Sequence, residues 1–373
     1  MFPHVRTSGS AHERGRQYGA MAAAQVRRSI KAYANVFEHY ARWDWESVSR
    51  EAQRFIAPIE EFGPQYLEEM RGIAAGASVE LIDIVAINVR TEVMYAAKAR
   101  SAAAVLPHLE CTSFAAVPED GRPVLIGQNW DWKTHASDTT VVLECAPDDG
   151  PRFVTVVEAG LLAKTGLNEH GLGVATNALA SDRDTGDAGV PYHVLLRALL
   201  AAESAPAALA TLQRPIRSSS AHYLLAHRDG LALSVEALPG AFNQLYTAAP
   251  DDNGVLLHTN HLIHPRIPGV DVGLWLMPDS PFRLQRARQF LRQHDPHDAS
   301  TYEKLLADHV GHPSGVCCHP VADAIPAQQD ATIFSIVMDL ESLSVRLTDG
   351  RPCAGPFRSL GSESFLAGRE NPA

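Results

Sequence analysis

The chain has 373 residues, enough for one large domain or a fused pair, and its 46% hydrophobic and 20% charged composition is that of a globular enzyme. A net charge of −11 without any Lys/Arg-rich run argues against a nucleic-acid groove, and no apolar stretch approaches the ~18 residues that would cross a bilayer. Met1-Phe2-Pro3-His4-Val5-Arg6 has neither the basic start nor the apolar core of a secretory signal, so a cytoplasmic location is expected. The five cysteines (Cys111, Cys145, Cys317, Cys318 and Cys353) are odd in number and scattered, and they read as reduced thiols rather than a disulfide framework.

The first stretch is helical in texture. Residues 10–40 are rich in Ala, Arg, Gln and Glu, although Gly15 and Gly19 weaken the first turns. Residues 46–59 and 64–75 continue in that style. Ser78 is expected to cap a further helix running to about Ala97. Residues 98–107 are small, polar and weakly patterned, and they read as a linker.

The texture changes at Cys111. Residues 112–117 and 123–128 read as strands joined by Glu119-Asp120-Gly121. Residues 139–144 and 153–158 are β-branched runs on either side of Pro147-Asp148-Asp149-Gly150, and Asn168-Glu169-His170-Gly171 turns the chain into a strand at 172–177. Helices are expected at 194–202 and 206–212, a hairpin at 222–227 and 231–236, and a strand at 255–260. Helices at 282–294 and 301–309 and a hairpin at 332–339 and 343–348 follow. Consecutive hairpins imply mostly antiparallel sheets. Helices inserted between them can cover both faces, which predicts a layered α+β fold rather than a parallel βαβ one.

Within this frame Cys111 carries the chemistry. It starts a strand directly after the linker, and Asp131 follows in Gly127-Gln128-Asn129-Trp130-Asp131-Trp132. A thiol so placed suits a nucleophile whose own α-amine, freed by a cut before Cys111, acts as its base. An α-amine titrates near ~8 and needs no histidine to take a thiol proton.

Four motifs then match a known family: Glu110-Cys111-Thr112-Ser113, the Gly127–Trp132 block, Gly166-Leu167-Asn168-Glu169-His170-Gly171-Leu172 and Thr259-Asn260-His261. With weaker matches around His12, Asn88, Ser280, Gly315 and Thr332, the chain resembles the acyl-coenzyme A:6-aminopenicillanic acid acyltransferase family, a C45 peptidase family of N-terminal-nucleophile hydrolases. The resemblance implies a four-layer αββα sandwich of antiparallel sheets. It also implies autoproteolysis between Glu110 and Cys111. Residues 1–110 would then be a helical α subunit, residues 111–373 a catalytic β subunit, and the two fragments would stay associated. It implies an acyl-Cys111 thioester as intermediate. The fungal penicillin enzymes carry a small residue before the cysteine, where this chain has Glu110.

The roles that follow are Cys111 as nucleophile, Asp131 orienting the α-amine, and Asn177 and Asn260 as neutral donors to an oxyanion. Arg283, at the start of a helix after Ser280-Pro281, supports the centre as it does in the relatives. Trp130 and Trp132 flank Asp131 and are candidates for the wall of the acyl pocket. His135 and His170 read as turn residues.

His309, His312, Cys317, Cys318 and His319 invite a zinc reading. Cys317 and Cys318 are adjacent, however, and no second paired-ligand knuckle is present, so no metal and no cofactor are expected. Gly171-Leu172-Gly173 lacks the third glycine of a dinucleotide fingerprint. The expected substrate is a small acyl amide or an acyl-CoA, with no nucleic acid and no membrane as partner, and a homo-oligomer left open. Hydrolysis of N-acyl amides leads, with acyl-CoA-dependent N-acyl transfer as the alternative. An unprocessed cysteine acylase using His170, and a non-catalytic scaffold keeping the fold, are the remaining rivals.

Overall fold

A computed structural model describes residues 1–101, 104–105, 110–294 and 298–368. Strand β1 (His4–Gly9) leads into helices α1 (Ala11–Met21), α2 (Ala23–Ala41), α3 (Trp45–Ala52), α4 (Ile56–Phe62), α5 (Pro64–Ala77), α6 (Leu81–Asn88) and α7 (Arg90–Arg100). Strands β2 (Glu110–Ala116), β3 (Leu125–Lys133), β4 (Thr140–Pro147), β5 (Phe153–Glu158), β6 (Thr165–Asn168) and β7 (Leu172–Ala178) follow. Then come α8 (Tyr192–Leu199), α9 (Ala205–Gln213), β8 (Ala221–His227), β9 (Leu231–Ala237), β10 (Leu245–Ala248) and β11 (Val255–His258). The chain closes with α10 (Gly273–Leu276), α11 (Ser280–Gln293), α12 (Ala299–Leu306), β12 (Asp330–Asp339), β13 (Ser344–Leu347), β14 (Arg358–Ser359) and α13 (Glu363–Leu366).

Two sheets form. One has eight strands in the order β1-β4-β5-β6-β7-β8-β9-β10, and the other six in the order β11-β2-β3-β12-β13-β14. All pairings are antiparallel except β1 with β4. The sheets face each other through β2 and β3 against β7. Helices α11 and α12 cover the outer side of the six-stranded sheet, while α9 and the N-terminal helices lie against the eight-stranded one. The result is the expected α+β sandwich with its helical outer layers. No described helix is long and apolar enough to cross a membrane.

Local chemistry explains the boundaries. Ser10 and Glu13 close a capping box on α1, and the Asp44, Ser204 and Asp298 side chains accept first-turn N–H groups of α3, α9 and α12. Gly15 and Gly19, expected to weaken the first helix, instead let it approach α5. A Cβ on Gly15 would stand 2.2 Å from the Glu69 carbonyl oxygen, and one on Gly72 equally close to that of His12. Helix propensity is traded here for backbone contact.

Ser78 is not the expected N-cap. It ends α5 in the left-handed conformation at φ 55°, and Glu80 caps α6 with Asp83. The single expected helix from Ser78 also breaks at Val89 into α6 and α7. Of the expected linker at 98–107, residues 98–100 are the last of α7, and 102–103 and 106–107 lie outside the described residues.

The N-terminal segment shares its core with the rest. Phe2, Val5, Tyr18, Val26 and Tyr33 belong to one buried cluster with Val142, Val156, Leu224 and Ile336. Through its pairing with β4, β1 also supplies an edge strand to the larger sheet.

Candidate active site

The site is assembled where the two sheets and α11 meet. Pairing of β2 with β3 sets Cys111 opposite Trp130 and Glu110 opposite Asp131. Alternation along β3 splits its side chains between two faces. Gln128 turns toward the larger sheet, where its Oε1 accepts from Thr165 Oγ1 at 2.8 Å and from Thr176 N at 2.7 Å. Asn129 turns outward, its Nδ2 donating to the carbonyls of Leu306 at 2.8 Å and Val316 at 2.7 Å. Trp130 therefore shares the inter-sheet face with Cys111. Asp131 lies on the outward face, where Thr332 Oγ1 of β12 donates to its Oδ1.

Three side chains, from β7, α11 and the segment after β11, grip the main chain of Cys111. Its N–H donates to Asn260 Oδ1 at 2.6 Å. Its carbonyl accepts from Asn177 Nδ2 at 3.1 Å and from Arg283 Nη1 at 2.8 Å. Arg283 Nη2 also donates to Asn260 Oδ1 at 3.1 Å, Nη1 reaches Thr112 Oγ1 at 3.1 Å, and Nε binds Asp279 Oδ2 at 2.6 Å. The guanidinium is 2% exposed, so these are desolvated charge-assisted bonds.

Each amide is held in one orientation. Asn260 Nδ2 donates to the Ala178 carbonyl at 3.0 Å, and its backbone N–H is fixed by Ser280 Oγ at 2.7 Å. Its oxygen, not its NH2, therefore faces the cysteine nitrogen. Asn177 Oδ1 accepts from Ser113 Oγ at 2.6 Å and meets His222 Nδ1 at 2.8 Å. An amide oxygen only accepts, so His222 carries its proton on Nδ1 and takes one from Ser234 Oγ at Nε2, 2.9 Å away. Burial holds His222 well below its ordinary range, with stacked His258 at 3.6 Å adding to the effect. Ser113, His222 and Ser234 thus aim the Asn177 NH2 at the Cys111 carbonyl.

The thiol itself is 3% exposed. Burial pushes its pKa up to about 11, the Asp131 carboxylate adds to this, and Lys164 and Arg283 oppose it. Lys164 was not foreseen from the sequence. It is 5% exposed, and its Nζ lies 4.8 Å from the ring centre of Trp130, the residue paired with Cys111. Burial lowers its pKa to about 8 against the pull of the thiol and Glu158. A lysine between Ala163 and Thr165 gives no sequence signal. Lys164 directly precedes β6, and only tertiary packing brings it beside Trp130.

Trp132 is buried and donates from Nε1 to Tyr33 OH at 2.9 Å. Tyr33 in turn donates to Glu158, which pairs with Arg90 Nη2 at 3.1 Å. The helical segment therefore furnishes part of the surroundings of the centre through Tyr33 and Arg90. His170 is exposed on the turn after β6, and His135 sits not in a plain turn but in a short 3-10 helix, Thr134–Asp138, after β3. The five expected catalytic residues Cys111, Asp131, Asn177, Asn260 and Arg283 are all buried in this one region.

The family model described as acyl-coenzyme A:6-aminopenicillanic acid acyl-transferase matches residues 117–353. The acyl-coenzyme A:6-aminopenicillanic-acid-acyltransferase 40 kDa form of Emericella nidulans is 26% identical over 362 residues, covering 94% of this chain and 93% of its own. Among solved structures, a Clostridium perfringens conjugated bile acid hydrolase is similar at TM-score 0.47 and 15% identity, covering 70% of this chain and 95% of that one. A Caenorhabditis elegans ortholog of N-acylethanolamine-hydrolyzing acid amidase is similar at TM-score 0.45 and 15% identity, covering 62% and 93%.

Proposed function

The chain belongs to the acyl-coenzyme A:6-aminopenicillanic acid acyltransferase family, and from that membership and the surroundings of Cys111 we propose a self-processing N-terminal-cysteine amidase or N-acyltransferase. The observation that carries the proposal is the grip of Asn177, Asn260 and Arg283 on the backbone N and O of one cysteine. A packing cysteine needs no such fixation. A cysteine that must become a chain terminus, and then act as nucleophile and base together, does.

Processing begins with Cys111 Sγ attacking the Glu110 carbonyl carbon. The C–N bond breaks, the Cys111 nitrogen leaves as an amine, and a thioester links Glu110 to Sγ. Water hydrolyses this thioester to a Glu110 carboxylate and a free thiol. Residues 1–110 and 111–373 then stay together through their shared core and the β1–β4 pairing.

In turnover the α-amine takes the thiol proton and the thiolate attacks the substrate carbonyl. The tetrahedral oxyanion collapses as the leaving amine receives that proton. Water, or a second amine, accepts the acyl group from the thioester. The same centre serves hydrolysis and transfer, because the acceptor that reaches the thioester decides between them.

Asn260 Oδ1, already on the Cys111 nitrogen, orients the new amine. Asn177 and Arg283 hold the Cys111 carbonyl so that Sγ keeps one position. Asp131 is paired across the strands with Glu110, and its carboxylate favours the charged form of the amine. Lys164 supports the thiolate, and Trp130 and Trp132 wall the acyl side.

The intact mass of purified protein tests this reading. Two fragments meeting at Cys111, a single chain for Cys111→Ala, and an acyl adduct on the 111–373 fragment after brief exposure to an activated acyl ester are expected. A wild-type chain that turns over acyl amides while remaining whole would falsify it.

A further inference from the structure

A second cluster lies behind the site, on the outward face of the smaller sheet. It joins His309, just beyond α12, Cys317 and His319 in the following loop, and Cys353 after β13. Their ligand atoms all lie within 4.8 Å of one another. Cys317 Sγ and Cys353 Sγ are 3.7 Å apart, and His319 Nε2 is 3.5 Å from each sulfur. His319 Nε2 and His309 Nε2 are 3.1 Å apart.

These distances suit a bound ion. A tetrahedral zinc ion with Zn–S near ~2.3 Å and Zn–N near ~2.05 Å requires ligand edges of about 3.8 Å for S···S, about 3.5 Å for S···N and about 3.3 Å for N···N. The four separations above match their edges to within a few tenths of an ångström, while the two from His309 to the sulfurs extend to as much as 4.8 Å, so His309 must move inward to complete the shell. Hydrogen bonds can account for each of these contacts singly; the convergence of two thiols and two ring nitrogens in one place is what favours a shared ion.

We propose that His309, Cys317, His319 and Cys353 bind one zinc ion in a closed, structural Cys2His2 site. Binding releases the two thiol protons. The two thiolates then balance the dication, and two neutral imidazoles complete the shell.

The expectation of no metal rested on the adjacent pair Cys317-Cys318 and on the lack of a second knuckle. The fold answers both points. Cys318 is not part of the cluster: its backbone N–H instead donates to Thr332 Oγ1 at 2.9 Å. The fourth ligand, Cys353, comes from beyond β13 and shares no motif with the others.

The location gives the ion a task. Val316 and Cys318, on either side of Cys317, hold β3 and β12. The Val316 carbonyl accepts from Asn129, and Thr332, bonded to Cys318, donates to Asp131. A metal at Cys317 would pin this loop and the segment carrying Cys353 against the strands that carry the site. The proposal stands whether or not Cys111 is the nucleophile.

Elemental analysis of the full chain, expressed with zinc supplied and then desalted, tests it. About one zinc per chain is expected for wild type. None is expected for Cys353→Ser or His309→Asn, both at exposed positions, while Cys318→Ala retains the ion. Cobalt exchange should give the intense absorption of a tetrahedral thiolate site. A strong chelator should lower the Tm of wild type and leave that of Cys353→Ser unchanged. Wild type without stoichiometric metal, full zinc content in Cys353→Ser, or a Cys317–Cys353 disulfide by mass would each overturn the proposal.

Discussion

Lys164→Met separates the cost of burying this lysine from its use. Burial takes the lysine from 10.5 to about 8, so the folded chain holds the proton less tightly than the unfolded one. Below pH ~8 both states carry the charge, and the folded state bears the whole cost of burying it, about 3 kcal/mol at ~1.4 kcal/mol per tenfold change in proton affinity. Between pH ~8 and ~10.5 the folded chain gives up the proton first, and stability rises with pH as the cost fades. Methionine keeps an unbranched stem over Trp130 and carries no charge. The variant is therefore expected to be more stable than its parent by roughly 2–3 kcal/mol at pH 7, with the gap closing as pH passes through that window. Urea unfolding across pH, in a Cys111→Ala background that keeps the protein one chain and the transition unimolecular, measures it. In the Cys111 protein the same change removes a cation that favours the thiolate, so alkylation of the thiol should move to higher pH and acylation should slow. Equal stabilities of variant and parent at pH 7, or an unmoved alkylation profile, would refute the argument.

Arg283→Lys keeps the charge but cannot reproduce a fork that reaches Cys111 O, Thr112, Asn260 and Asp279 at once. Single-turnover acylation should fall by roughly 100- to 1,000-fold, the loss typical of one oriented donor, with folding retained; a wild-type acylation rate in this variant argues against a positioning role. Gly72→Ala places a methyl 2.2 Å from the His12 carbonyl oxygen, against backbone that cannot step aside without moving α1. It should cost about 1–3 kcal/mol in denaturant titration, and an unchanged midpoint would mean that the close approach of α1 and α5 is not required.

Much of the fold was legible because its signals are local. The hairpins from β2 to β3 and from β8 to β9 announce themselves by alternating strands around Glu119-Asp120-Gly121 and Arg228-Asp229-Gly230. Where the sequence misled, a nonlocal partner had overridden a local preference. Gly15 and Gly19 look like helix breakers until α5 is laid against them. Ser78 resembles an N-cap, yet it serves better in the left-handed turn that lets α5 end and Glu80 begin α6. β1 has no strand signature of its own and exists because the edge of β4 offers it a ladder.

The site divides in the same way. Cys111, Asp131, Asn260 and Arg283 sit in short recognisable blocks and Asn177 ends a short strand, so these candidates could be named without coordinates. What those blocks leave out is direction. The sequence suggested that both asparagines offer NH2 groups to an oxyanion, but a side chain's orientation is set by partners that no motif contains. Ala178 and Ser280 fix Asn260 with its oxygen toward the cysteine nitrogen. His222 and Ser113 fix Asn177 with its NH2 on the cysteine carbonyl. Both amides are thus spent on holding the nucleophile's own backbone. In the proposed mechanism the charge that a substrate carbonyl develops is met by the ammonium freed beside Asn260 when the bond between residues 110 and 111 opens. On this view self-cleavage does more than expose a base: it creates the cation that the uncut site lacks at that point. An uncut chain with its thiol intact should therefore be inert toward acyl amides, and not merely slow.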